Sequence, residues 1–335
     1  MRVFITGGSG FVGRNLIAAL VQRGIEVRSL VKWEAEIEMI KSCGAIPIFG
    51  DINDPQVLKS GMTGCTVVFH VAAKVDDWGA FEDFQEVNVR GTEQIIAVAK
   101  ETGVSRLIYV STDAVLIDGK EIVNADETQR LPEKPLGFYA QTKAIAETKV
   151  IAANSDELTT VVVRPRFVWG KGDTTLLARF IKAIHNKEFA WISEGRYLTS
   201  TCHVKNLCEG LILASEKGKG GEIYFITDGA PVEFRSFLTE LLQTQGVEPG
   251  TYSLPRWLVW SWAWILEKAW TLLKLEGLPP ITRTALSLIG SEVTVNDTKA
   301  RRELGYIPVI SRQEGLLEME LTNPLTKELG LTHVQ

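Results

Sequence analysis

The chain has 335 residues, room for one large α/β domain or one such domain with a smaller lobe. Its 45% hydrophobic and 23% charged residues read as an ordinary globular protein and exclude a disordered chain. A net charge of −5 leaves no electrostatic case for a nucleic-acid partner. At the N-terminus, Val3-Phe4-Ile5 is a short apolar strand, and residues 15–23 place Leu16, Ala19 and Leu20 at inward helical spacing. Gly24 stops that helix, and residues 27–31 begin a second strand. Residues 45–49, 66–70, 107–110 and 160–163 are further apolar or β-branched runs of strand length. Helical stretches lie between them, including residues 92–100 and 139–153.

After Arg164-Pro165 the rhythm changes. Residues 176–185 read as helix, 197–203 as extended chain, 204–215 as helix and 222–226 as strand; the rest is mainly helical. Strands alternating with helices imply a parallel sheet covered on both faces. The expected fold is therefore α/β: a Rossmann-type doubly wound parallel sheet with a smaller, mainly helical substrate lobe. Residues 1–170 form the dinucleotide-binding part, with 204–228 returning to it. Residues 171–203 and 229–335 form the substrate lobe, interleaved with the first part and not strung after it.

Cys43, Cys65, Cys202 and Cys208 make no CxxC pair and no metal-ligand spacing with His70, His185, His203 or His333. They read as small buried hydrophobes in a reducing compartment. Met1-Arg2-Val3-Phe4-Ile5 runs straight into a glycine turn, without the apolar core of a signal peptide, so the expected location is cytoplasmic. Residues 254–275 complicate that expectation, because five of the nine tryptophans sit there. The uncharged run 257–266 has ten residues, short of the ~20 that span a bilayer. Three readings stay open: a buried or lid helix, the wall of an apolar substrate pocket, or an interfacial helix on a membrane. The last is suited by tryptophans flanked by Arg256, Lys268 and Lys274.

Gly7-Gly8-Ser9-Gly10-Phe11-Val12-Gly13 lies between a strand and a helix. Gly7 permits a sharp turn, Gly10 a close backbone approach to a pyrophosphate, and Gly13 tight helix–strand packing. The helix N-terminus adds N–H donors and positive potential. A nicotinamide dinucleotide is the expected ligand. An acidic residue closing the second strand would hold the ribose of NAD, whereas a basic one suits the 2′-phosphate of NADP. That strand ends Val31-Lys32-Trp33, with Arg28 and Arg14 nearby, so NADP(H) is favoured over NAD(H).

Tyr139-Ala140-Gln141-Thr142-Lys143 places a phenol and an ammonium on one helix face. A cation there lowers a tyrosine pKa and makes a proton donor or acceptor usable near neutrality. Ser111-Thr112 ends an apolar strand with hydroxyls at the edge where open α/β sheets bind ligands. Thr112, Tyr139 and Lys143 are the candidate catalytic residues.

Together these residues resemble the extended short-chain dehydrogenase/reductase superfamily, of the NAD-dependent epimerase/dehydratase type. The resemblance covers at least residues 1–230. It includes the glycine turn, Gly50-Asp51-Ile52, His70-Val71-Ala72-Ala73, Asn88-Val89-Arg90-Gly91-Thr92 and Tyr109-Val110-Ser111-Thr112. Tyr139-x-x-x-Lys143 and Arg164-Pro165-Arg166-Phe167-Val168-Trp169-Gly170 complete it. It implies that Asp51 and Ile52 lie near adenine, Ala72 and Ala73 along the cofactor, and Pro165 to Val168 beside nicotinamide. It also places Asn88 with the cofactor residues, makes Thr112 the catalytic Ser/Thr, lets Ser111 touch cofactor through its backbone, and implies a homodimer. The stretches His70 to Gly79, Tyr224-Phe225-Ile226-Thr227-Asp228-Gly229 and the segment after Pro255 are similar to the 3β-hydroxysteroid dehydrogenase branch. Relatives there handle sterols, 4-carboxysterols and long-chain 2-alkyl-3-oxo acids. Val31-Lys32 departs from the acidic position frequent in the steroid enzymes and fits a reductase better. The expected activity is hydride transfer between nicotinamide and a secondary alcohol or ketone of a bulky apolar substrate. A nucleotide-sugar epimerase or dehydratase is the alternative on the same scaffold, and a non-catalytic NADP(H) sensor or scaffold the alternative of another class.

Overall fold

The computed structural model describes residues 1–322. Seven parallel strands form the main sheet: β1 (Arg2–Thr6), β2 (Glu26–Val31), β3 (Ile46–Phe49), β4 (Val67–His70), β5 (Arg106–Val110), β6 (Thr159–Pro165) and β7 (Ile223–Ile226). Their spatial order is β7-β6-β5-β4-β1-β2-β3. The chain runs outward from β1 through β2 to β3, then crosses back to β4 and continues the other way. The carboxyl ends of β1 and β4 therefore flank the crevice where such sheets bind ligands. Val3, Phe4 and Ile5 are all buried, with alternate residues facing opposite cores. An unbroken apolar run is what a strand covered on both faces requires.

Helix α1 (Phe11–Gln22) follows β1, and α2 (Gly91–Glu101) covers the sheet's other face. One π-helical stretch, Gln85–Arg90, feeds α2 and carries Asn88; it follows the short helix Phe81–Phe84. Such π-turns are frequent at functional sites. Helix α3 (Phe138–Ala152) carries Tyr139 and Lys143. Helix α4 (Val204–Lys217) packs beside α1, and β7 extends the sheet beyond β6.

The rest of the chain packs around an aromatic core that includes Phe167, Trp169, Phe180, Trp191, Phe234 and Phe237. Alongside its helices it contains a four-stranded sheet in which Ile122–Ala125, Leu198–Thr199, Val232–Glu233 and Val293–Val295 pair. Strands of two to four residues carry too little alternation to be read from sequence. Helix α5 (Arg256–Leu273) rests on α6 (Arg283–Ile289) through Val259, Ala263 and Leu286. Its outer face is open: Trp257 is 69% exposed and Leu272 78%, with Trp262, Trp264 and Ile265 exposed as well. Among the described residues, no helix is long and apolar enough to cross a membrane.

Candidate active site

The glycine turn is built by close approaches that no side chain tolerates. Gly7 adopts φ +72°, and a Cβ there would lie 2.7 Å from the Ala72 amide nitrogen. A Cβ on Gly13 would lie 2.1 Å from the Gly7 carbonyl oxygen, and one on Gly8 2.0 Å from Ser29 Oγ. The role of Gly8 was not visible in the spacing, because Ser29 arrives from the neighbouring strand. Gly10 caps α1 without a side-chain hydrogen bond, and the first turn carries no acidic residue. The first-turn N–H groups are thus open to an anion, which is what a dinucleotide's pyrophosphate needs. Phe11 is buried at 4% exposure and Val12 packs against the same core, so both would serve through backbone alone.

At the tips of β2 and β3 the exposed Lys32 ammonium stands 3.1 Å from the Asp51 carboxylate. Hydrogen bonding from the Asn53 backbone, and then Lys32, holds Asp51 below the ordinary carboxylate range. The sequence shows no carboxylate at this tip, yet the structure brings one there. Glu36 Oε2 accepts the backbone N–H groups of Lys32 and Trp33, at 3.1 and 3.2 Å. That cap depends on the turn after β2 and had no periodic signal. Arg28 is committed to the carbonyls of Ser60, Gly61 and Thr63, while Arg14 reaches Gly172. Ile52 packs in the core against Gly91, leaving only its backbone toward the crevice.

Behind the turn, Thr6 Oγ1 accepts from the Ala72 amide at 3.2 Å and pairs with His70 Nδ1 at 2.7 Å. Burial, and then Lys143, pushes the His70 imidazole down to about 3, so it is a neutral spacer. Ala73 continues that loop, half-buried. Asn88 accepts from the Lys74 amide at 2.8 Å and donates to the Lys74 carbonyl and Thr142 Oγ1. It fastens the loop after β4 to α3, the helix of Tyr139. The backbone contact implied for Ser111 is restricted in the structure. The Ser111 amide donates to Val163 O at 2.8 Å and its hydroxyl to Glu147 at 2.6 Å, leaving only its carbonyl.

Lys143 is buried on α3 and donates to the Val110 carbonyl at 2.7 Å, with its ammonium 4.0 Å from the Tyr109 ring centroid. Burial lowers it to about 7, against the opposing pull of Glu147. Glu147, one further turn along, is fully buried and bonded to Arg164 Nε at 2.9 Å. This Ser111–Glu147–Arg164 network leaves no local signature, since its members are scattered through the sequence. Tyr139 differs from expectation too: burial raises its hydroxyl, and the nearby Thr112 hydroxyl is the opposing influence. Lys143 faces Val110 and Tyr109 instead of the phenol, so the expected lowering is absent from the free protein.

Thr112 caps the turn Asp113–Leu116, accepting from the Ala114 amide at 3.1 Å. Gly137, just before α3, adopts φ +87°, and a Cβ there would meet Thr284 Oγ1 of α6 at 2.4 Å, so both the turn and the close approach require glycine. Pro165 ends β6 beside Ile226, and Val168 pairs with Cys202. Arg179 of the aromatic lobe reaches across to Asp77 in the loop after β4, at 2.5 Å.

The family whose pattern matches residues 4–256 is the 3-beta hydroxysteroid dehydrogenase/isomerase family. The chain is 48% identical to a 4-hydroxy-2-methyl-3-oxo-4-farnesyl-3,4-dihydroquinoline-1-oxide ketoreductase of Stigmatella aurantiaca, over 97% of each chain. It is 34% identical to a decarboxylating sterol-4-alpha-carboxylate 3-dehydrogenase of Dictyostelium discoideum, over 95% of this chain and 99% of the relative. A dTDP-glucose 4,6-dehydratase double mutant of Streptomyces venezuelae, solved with NAD bound, has the same fold. Its TM-score is 0.73 at 22% identity, over 96% of each chain. The chain thus belongs to the 3-beta hydroxysteroid dehydrogenase/isomerase family, and it is an NAD(P)-dependent dehydrogenase/reductase.

Proposed function

We propose that this enzyme reduces a ketone on a bulky apolar substrate, with Tyr139 giving the proton, Thr112 holding the carbonyl oxygen and Lys143 holding the cofactor ribose. The observation that carries this reading is that Tyr139 and Lys143 lie one turn apart on α3 while burial holds the Tyr139 hydroxyl above its ordinary range, which keeps the phenol a neutral donor. A bound nicotinamide cofactor supplies the hydride. Lys143, near 7 in the free protein, takes up a proton when cofactor anions arrive, since opposite charge favours the cation. Tyr139→Phe is expected to lower kcat by about 10³-fold with NADPH affinity retained, followed by NADPH oxidation. Turnover at the wild-type rate would overturn the assignment, as would UDP-glucose raising Tm as strongly as NADPH.

NADP(H) is the proposed cofactor. Lys32 and Asp51 are both about half exposed, so their ion pair is worth only ~0–1 kcal/mol. A phosphate with a charge of about −2 competes well for that ammonium. In both relatives' names an oxygen-bearing group stands on the carbon beside the named position 3: 4-hydroxy beside 3-oxo, and 4-carboxylate beside position 3. We extend this to the present substrate: a ketone flanked by a hydroxyl- or carboxyl-bearing carbon, with a long apolar remainder.

Residues 1–170 with 204–228 carry the cofactor in this reading, and 171–203 with 229–322 the substrate; the remainder of the proposed lobe lies outside the described residues. The exposed tryptophan face of α5 is proposed to rest on a membrane surface. Its exposed side carries Lys268, while Glu267 is turned to Arg283. A homodimer through α2 and α3, where Ile145 is exposed, completes the proposal.

A further inference from the structure

Two ionisable side chains sit at the junction of sheet and aromatic lobe with no part in the chemistry above. Asp113 directly follows Thr112, and Arg166 directly follows Pro165. They are 2% and 3% exposed. Arg166 Nε and Asp113 Oδ2 stand 3.3 Å apart, without an aligned hydrogen bond and without another partner for either atom. Burial raises the carboxyl and lowers the guanidinium, each opposed by the other's charge. A buried pair so imperfectly bonded stabilises a fold little more than apolar side chains of the same volume would. Stability alone is therefore a weak reason for it.

Their remaining bonds show what the pair holds. Thr112 Oγ1 donates to Asp113 Oδ1 at 3.2 Å while accepting from the Ala114 amide. A threonine hydroxyl has one proton and two lone pairs, so these two bonds pin its oxygen and leave one lone pair uncommitted. On the far side, Arg166 Nη2 donates to the Leu288 carbonyl and to Thr199 Oγ1, both in the aromatic lobe. Phe167, next in sequence, is held at φ +43° with its ring between Phe180 and Phe237. A phenylalanine in the left-handed region persists only where its surroundings over-determine it.

We propose that Asp113 and Arg166 are a positioning pair for Thr112: Asp113 fixes the hydroxyl oxygen, and Arg166 ties that carboxylate to the seated aromatic lobe. A fixed oxygen lets the Thr112 proton turn from Oδ1 to a ketone oxygen without any movement of the side chain. The inference rests on Thr112 being the carbonyl holder, so its test has one arm that needs no turnover.

The first arm measures NADPH-dependent reduction of ethyl 2-benzylacetoacetate. Asp113→Leu is expected to lower kcat by about 10²-fold with NADPH Kd unchanged. Asp113→Asn, which keeps an acceptor at Oδ1, is expected to stay within a few-fold of wild type. Arg166→Met lowers kcat, and Arg166→Lys does not rescue it, because a single ammonium cannot serve Asp113 and Leu288 as the planar fork does. The second arm follows the Thr112 methyl resonance in protein labelled with [13C-methyl]threonine, assigned by its loss in Thr112→Ser. That resonance moves in Asp113→Leu and Arg166→Met and stays in place in Asp113→Asn. Wild-type kcat together with an unmoved methyl in Asp113→Leu would overturn the proposal. If that variant does not fold, Arg166→Met decides in the same way. A wild-type protein that reduces no ketone, with the methyl still moved, removes the carbonyl-holder reading and leaves the positioning pair standing.

Discussion

The glycine-turn edge of the sheet and helix α5 solve opposite problems. Around the turn, nearly every polar group is committed: Ser111 to Val163 and Glu147, Asn88 to Lys74 and Thr142, Lys143 to Val110. What stays open is a run of N–H groups at the start of α1. Along α5 the polar groups are few, and large apolar side chains stand in water. A region that fixes its own geometry is recognised by what it leaves unsatisfied. A region that leaves apolar area uncovered is recognised by what would cover it. The first reads as a preorganised cradle for a charged ligand and the second as a surface seeking an apolar phase.

Breaking the cradle gives the largest effects. After Tyr139→Phe, the next is Gly13→Ala, whose Cβ meets the Gly7 carbonyl oxygen at 2.1 Å. It is expected to cost about 1–3 kcal/mol and to abolish the rise in Tm on adding NADPH, read by thermal denaturation with and without cofactor. Lys32→Ala sharpens the cofactor assignment. NADPH Kd is expected to rise about tenfold, or ~1.4 kcal/mol, with NADH Kd unchanged in fluorescence titrations. Equal losses for both cofactors would return Lys32 to the solvent.

Lys143 offers a pH test of burial. It titrates at about 7 in the folded protein against 10.5 for an ordinary lysine. Between those values the unfolded chain binds more protons, so this group makes stability rise with pH; below about 7 its penalty is present in full. Denaturant midpoints from pH 7 to 10 are therefore expected to rise more steeply for wild type than for Lys143→Met. Parallel profiles would mean that the ammonium is better solvated than the structure shows. On α5, Trp257→Glu with Trp264→Glu is expected to abolish sedimentation with anionic vesicles while leaving reduction of a water-soluble ketone within twofold, roughly the scatter of an exposed-surface change. It is the smallest effect on catalysis and the sharpest on location.

Much of the first region was legible because its signals are local. Val3 to Ile5, residues 67–69 and residues 107–110 are buried on both faces and so appear as unbroken apolar runs. Gly7, Gly10 and Gly13 announce a backbone approach by spacing alone, and Tyr139 and Lys143 share a helix face. What was illegible depends on partners far apart in the chain. Arg166 and Asp113 meet only because β5 and β6 are neighbours. Glu36 reaches the tip of β2 only through the turn it helps to form. The lowering expected for Tyr139 failed because side-chain direction, which spacing does not encode, turned Lys143 toward Val110. For α5, composition identified an unusual segment, but its exposed face follows from packing on α6 through Val259 and Ala263.

Gly137 and Thr284 join these two regions. The glycine that opens the Tyr139 helix abuts α6, and the far side of α6 carries α5. One helix thickness thus separates the exposed tryptophans from the element that holds the phenol. A long-tailed ketone can leave its tail dissolved in lipid while its head alone reaches the crevice. With α5 on a membrane as proposed, substrate supply would be counted per unit of membrane area, so apparent KM is expected to follow the mole fraction of ketone in the bilayer and not its total concentration in the sample.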